Sequence, residues 1–127
     1  MKRQSWALSA ALTVAILLAA CVGSSPSATV KAFYNAVSKG QTDKAIDLIS
    51  EQTVNRIGRD KLRLGIQHSA QEMLEKGGVK DLDVTEEKVA GDVAQVTVII
   101  KYGNGSQEVE NVKLVKESKG WRLQPNK

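Results

Sequence analysis

The spacing of apolar residues changes twice along this chain, and each change marks a boundary between kinds of structure. Residues 10–20 are apolar throughout except for Thr13. From Pro26 to about Lys76 the apolar residues recur at helical spacing, and from Val79 onward they alternate with polar ones. A helix turns about 100° per residue, so residues three or four apart share a face, whereas in a strand every second residue does.

The helical half opens on Ser25-Pro26, a serine N-cap followed by proline at the first helical position, where its missing N–H does no harm. Val30, Phe33, Tyr34 and Val37 follow on one face, and Gly40 is a natural stop. Thr42 is the expected cap of a second, short helix carrying Ala45, Ile46, Leu48 and Ile49. Residues 50–58 accommodate one further turn. A longer helix is expected over about residues 60–76, ended by Gly77-Gly78, with Leu62, Ile66, Ala70, Met73 and Leu74 on its buried arc.

In the alternating half, Leu82 and Val84 interleave with Asp81 and Asp83, and Ala90-Gly91-Asp92 reads as a turn. Ala94, Val96, Val98, Ile100 and Tyr102 then line one face of the strongest strand, with Gln95, Thr97 and Lys101 opposite. Gly103-Asn104-Gly105 predicts a hairpin, because these residues accept positive φ cheaply. In the next strand Val109 has the opposite parity to Val112 and Leu114, which predicts a bulge near Glu110-Asn111. Ser118-Lys119-Gly120 turns into a last strand with Trp121 and Leu123. Helices followed by an antiparallel meander predict an α+β fold, with the N-terminal helices packed on a curved four-stranded sheet.

The apolar run at the N-terminus is too short to span a bilayer and follows the basic start Met1-Lys2-Arg3, which marks a secretory signal. It ends Leu18-Ala19-Ala20-Cys21, with the chain's one cysteine. This quartet resembles the lipobox of bacterial lipoproteins. The resemblance implies cleavage after Ala20, a diacylglyceryl group on the Cys21 thiol and usually acylation of the new amine. Membrane lipid, through acylated Cys21, is then the first expected partner. An ordinary signal cut after Cys21 is the alternative; it would discard the only thiol. The expected organisation is signal peptide 1–20, lipidated cysteine and short tether 21–25, and one domain 26–127. Val22 after the cysteine, rather than aspartate, is compatible with sorting to the outer membrane where the cell has one, and otherwise to the outer face of the cell membrane.

Composition changes the picture once the signal is set aside. Of 18 basic residues, Lys2 and Arg3 lie in the signal, leaving 16 against 14 acidic ones and a balance near neutral. A nucleic-acid binder would show a clear basic stripe, so no nucleic-acid partner is expected. With Cys21 acylated no thiol is free for a disulfide. A mature chain of this size buries roughly 60–70% of its unfolded surface, enough for packing alone to hold it.

Candidate chemistry is sparse. The one histidine, His68, falls about 200° round the helix from Ile66, beside Glu72 at i+4, and is expected on the wet face. No metal-ligand spacing, nucleophile elbow or phosphate loop is present, so no catalytic residue, metal or cofactor is expected.

The pattern Phe33-Tyr34-Asn35-Ala36, Gly40, Ala45 to Leu48, then Leu114-Val115-Lys116-Glu117 and Gly120-Trp121-Arg122-Leu123, resembles the nuclear transport factor 2-like superfamily, and within it small bacterial lipoproteins labelled lumazine-binding-like. The resemblance spans roughly residues 26–124. It implies a curved sheet wrapped around a long helix, a cone with a cavity at its wide end that many relatives use for ligands or catalysis. Fold alone does not assign that use.

Arg63, at the edge of the apolar arc, is the sharpest candidate for the cavity mouth, where its guanidinium fork would hold a small anion. Its bland alternative is an ion pair with a neighbour such as Asp60 or Glu87, or snorkelling along the surface. Tyr34, Tyr102 and Trp121 are the aromatics able to wall the cavity, or simply to fill the core. The expected function is a non-catalytic, lipid-anchored module binding a small anionic or aromatic ligand. An adaptor presenting its sheet to an envelope protein and a cavity-based isomerase or hydrolase are the alternatives.

Cys21→Ser tests the anchor. The variant should leave the membrane fraction or persist as an uncleaved precursor. Intact-mass measurement on the wild-type protein from native membranes should show acyl groups, and an unlipidated chain beginning at Val22 would overturn the assignment.

Overall fold

The computed structural model describes residues 25–126, so the signal segment, Cys21 and most of the tether lie outside the described residues. Four helices come first: α1 (Pro26–Ser38), α2 (Thr42–Ile46), α3 (Glu51–Ile57) and α4 (Arg59–Glu75). Four strands follow: β1 (Val79–Ala90), β2 (Val93–Tyr102), β3 (Gln107–Glu117) and β4 (Gly120–Leu123), paired antiparallel in chain order. The α+β expectation holds. Among the described residues no helix is long and apolar enough to cross a membrane.

Local chemistry sets the helix ends. Ser25 caps α1 by accepting from the Ala28 N–H at 3.0 Å. The Glu87 carboxylate of β1 accepts from the backbone N–H and hydroxyl of Ser27, at 2.9 and 2.6 Å. A negative charge at a helix N-terminus is favourable, and here it also ties helix to sheet. Helix α2 is shorter than expected: Thr42 is its first residue rather than its cap, and Leu48 and Ile49 lie beyond it. Those two instead run beside β4. The Ser50 N–H donates to the Leu123 carbonyl, and the Leu123 N–H to the Leu48 carbonyl, each at 2.8 Å. Ser50 is then free to cap α3, where the pattern allowed one turn and the chain makes a seven-residue helix.

The expected bulge in β3 does not form. Its register with β2 is unbroken from Val93↔Val115 to Lys101↔Gln107. The shifts lie in β1, between Val79 and Asp81 and between Val84 and Glu86, where they add to the bend of the sheet. The parity mismatch in β3 has another cause. Glu108 and Glu110 keep step with Val112 and Leu114 and share their face, opposite Ile100 and Val98, while Val109 points to solvent at 63% exposure.

Two buried clusters fill the space between helices and sheet. One gathers Val37, Ala45, Ile46, Ile66, Met73, Ile100 and Tyr102, the other Val30, Val96, Val98, Leu114, Trp121 and Leu123. Phe33, Tyr34 and Leu82 pack against both. Helix α4 rests chiefly on the other helices, not on the sheet. A helix seated that way needs only a narrow stripe, here Leu62, Ile66, Ala70 and Met73. Leu74, expected on the buried arc, is therefore 63% exposed.

Where α4 ends, the backbone touches the β2–β3 turn. The Gly103 N–H donates to the Gly78 carbonyl and the Asn104 N–H to that of Lys76, both at 2.9 Å. A Cβ at Gly103 would overlap the Gly77 carbonyl, and one at Gly77 would stand 2.9 Å from the Asn104 nitrogen. Gly65, within α4, has open space around it.

The two glycines predict opposite effects. Gly103→Ala should lower stability by about 3 kcal/mol through overpacking, whereas Gly65→Ala should raise it by about 0.5–1 kcal/mol through helix propensity. Denaturant unfolding followed by the emission of Trp121, 6% exposed in the core, reads both. Equal effects would contradict the contact.

Candidate functional site

Because α4 stands off the sheet while its end is pinned to the β2–β3 turn, a pocket of about 240 Å³ remains between them. Its apolar floor is Val37 of α1, Ile66 and Met73 of α4, and Ile100 of β2. Phe33 and Tyr34 form one wall, edge to face with ring centroids 5.3 Å apart, and Tyr102 forms another. Polar groups converge from two sides: Ser69, Glu72 and Lys76 along α4, Glu108 and Glu110 from β3.

The electrostatics of this pocket are mostly negative. Lys76, at the C-terminal end of α4, pairs with Glu108 and lies over the Tyr102 ring at 4.9 Å from its centre. That hydrogen bond to Glu108 holds the ammonium above its ordinary pKa, so Lys76 stays charged. Burial, and then the charge of Glu110, push the Tyr34 phenol well above the ordinary tyrosine value. Tyr102 is raised too, by burial and by Glu108. Both phenols are therefore neutral hydrogen-bonding groups at physiological pH. Among the described residues Glu110 makes no ion pair, and no three carboxylate, imidazole or thiol groups are placed to hold a metal ion.

Of the residues proposed from sequence, Tyr34 and Tyr102 meet in this pocket. Arg63 does not. It lies on the opposite flank of the α4 stripe, facing α2, where its guanidinium pairs with Asp43 at 2.8 Å and Asp60 at 3.2 Å. The hydrogen bond from Arg63 holds the Asp43 carboxyl below its usual range. Ser69, Glu72 and Lys76 occupy the flank of this pocket, and Arg63 borders a separate surface depression with Gln41, Asp43 and Gln67. Trp121 is also elsewhere, buried in the second cluster with Lys116 5.9 Å from its ring centre. His68 is exposed, its Nε2 3.8 Å from Glu72. Cys21 lies outside the described residues. Glu108 and Glu110 were missed, although a signal existed: counting back in twos from Leu114 and Val112 puts both on the inner face.

Solved structures share this architecture. A Campylobacter jejuni protein provisionally described as an NTF2-like transpeptidase is 23% identical, with a TM-score of 0.71 over 80% of this chain and 98% of its own. A SEC-C motif containing protein from Rhodopseudomonas palustris is 17% identical, with a TM-score of 0.59 over 81% of this chain and 77% of its own. At these identities the likeness concerns the fold, which is nuclear transport factor 2-like. No curated protein matches the sequence. Residues 19–124 match the family described as Domain of unknown function (DUF4878), and the chain belongs to that family.

Proposed function

We propose that the protein is a lipid-anchored binding module of the bacterial cell envelope, held by acylated Cys21, whose pocket receives a small ligand without chemically changing it. The observation that carries this reading is the pocket itself: an apolar floor, aromatic walls and polar groups converging at one end, the usual make-up of a small-molecule site. Its volume lies just under the roughly 300–1,000 Å³ typical of such sites, which suits a ligand of few atoms. The lipobox quartet supports the anchor, and the family match reaches back through Cys21 to residue 19.

Binding is favoured over catalysis by the chemistry of the lining. Acyl transfer, which the name of the Campylobacter jejuni protein suggests for that protein, needs a nucleophile activated by a neighbouring base. The pocket lining contains no cysteine or histidine, and no hydrogen bond joins Ser69 to a base among the described residues. The adaptor alternative is weakened by the outer face of the sheet. Its apolar pairs Ile99↔Val109 and Val93↔Val115 are separated by the polar rows Thr97↔Asn111 and Gln95↔Lys113, so no continuous patch forms.

A thermal-shift panel of small amines, carboxylates and aromatic alcohols on the detergent-extracted full chain tests the reading. At ten times its Kd a ligand adds about 1.4 kcal/mol, which for a domain of this size raises Tm by about 5–10 °C. Ser69→Phe, which fills the pocket, should abolish the shift. Arg63→Ala should lower Tm while leaving the ligand-induced shift intact. A shift that survives Ser69→Phe, or a panel without any shift, would overturn the proposal.

A further inference from the structure

Three carboxylates and one ammonium line the pocket, and the ammonium is already spoken for. Glu108 and Glu110 sit two residues apart on the inward face of β3, opposite Ile100 and Val98, both of which are fully buried. Lys76 neutralises Glu108. Glu110 is left without an ion pair among the described residues, half-buried beside two neutral phenols. A carboxylate partly withdrawn from water and facing aromatic walls is attractive to a cation, and the same field repels an anion. The contact of Lys76 with Tyr102 and Glu108 shows that an ammonium fits between a ring face and a carboxylate in this very pocket.

Resting on the binding function proposed above, we propose that the ligand is a small organic cation, its ammonium seated on Glu110 and its apolar or aromatic body against Phe33, Tyr34 and Met73. Glu110 supplies the charge and Tyr34 the flat wall. Lys76 stays with Glu108 and sets the far limit of the cation seat. An inorganic cation is a poor match, because among the described residues no three carboxylate, imidazole or thiol groups are placed together to hold a metal ion and aromatic faces occupy one side of the pocket. The anionic ligand expected from Arg63 would meet net negative charge here instead.

Isothermal titration of the detergent-extracted full chain with three monocyclic aromatic probes of similar size and different charge tests this: benzylammonium, benzyl alcohol and benzoate. Benzylammonium should bind at least tenfold more tightly than benzyl alcohol, and benzoate more weakly than both. Glu110→Gln should weaken benzylammonium about tenfold and leave benzyl alcohol unchanged. Lys76→Met, which removes the competing charge while keeping the stem, should tighten benzylammonium. In the unmodified protein, raising the salt concentration should weaken benzylammonium and not the alcohol, a readout that needs no variant. Equal affinities for the three probes, or a benzylammonium affinity indifferent to Glu110→Gln and to salt, would overturn the cation seat while leaving a binding pocket in place. Failure of all three probes to bind would overturn the cation seat, and the pocket-binding function falls only if the wider panel also fails.

Discussion

The contact between the end of α4 and the β2–β3 turn is the constraint on which the rest of this domain depends. Two backbone segments meet there without side chains between them, at Gly77 and Gly103, and the Gly103 and Asn104 N–H groups donate to the Gly78 and Lys76 carbonyls. Along the rest of its length α4 leans on α1, α2 and α3 and not on the sheet. Pinning one end of a helix that otherwise stands clear leaves a space between helix and sheet. Close packing normally fills such spaces, so one that persists is a property of the architecture and not slack in it.

What lines that space follows from the same placement. The last turns of α4 bring Ser69, Glu72 and Lys76 to its rim, and the turn that receives them delivers Tyr102 on one strand and Glu108 on the next. The inward glutamates of β3 would be costly under a helix packed flat on the sheet. With α4 held away, they reach water and a lysine, and Tyr34 and Tyr102 remain protonated beside them. Sheet, helix end and pocket charge are thus one arrangement.

Most of the fold was legible in the chain, because period and punctuation agreed over long stretches. The Ser25-Pro26 opening, the Gly40 stop, the alternation from Ala94 to Tyr102 and the Gly103-Asn104-Gly105 turn each name their element locally. The structure departs from the local pattern where tertiary contacts override it. Leu48 and Ile49 have helical spacing yet are drawn into pairing with β4. Leu74 fits a broad apolar arc, but α4 uses a narrow one. Arg63 lies on the flank of that arc that faces Asp43, and Lys76 on the other, beside the pocket. The parity of Val109 against Val112 and Leu114 predicts a bulge, whereas β3 keeps its register and turns Glu108 and Glu110 inward. Breaches of patterning of this kind gather at functional sites, and the breach at Glu108 and Glu110 lies in the pocket.

The sharing of Phe33, Tyr34 and Leu82 between the two core clusters has a consequence for how the molecule opens. Were the clusters separate, the end of the domain that holds the pocket could loosen while the Trp121 end stayed closed, and amide exchange would divide into two populations. With an edge-to-face aromatic pair packed against both, neither cluster can open without disturbing the other. A molecule lodged against Phe33 and Tyr34 leans on both at once. Its occupancy should therefore slow hydrogen exchange as far away as β4, in strands it never touches, so that a small guest is felt as a whole-domain gain in protection.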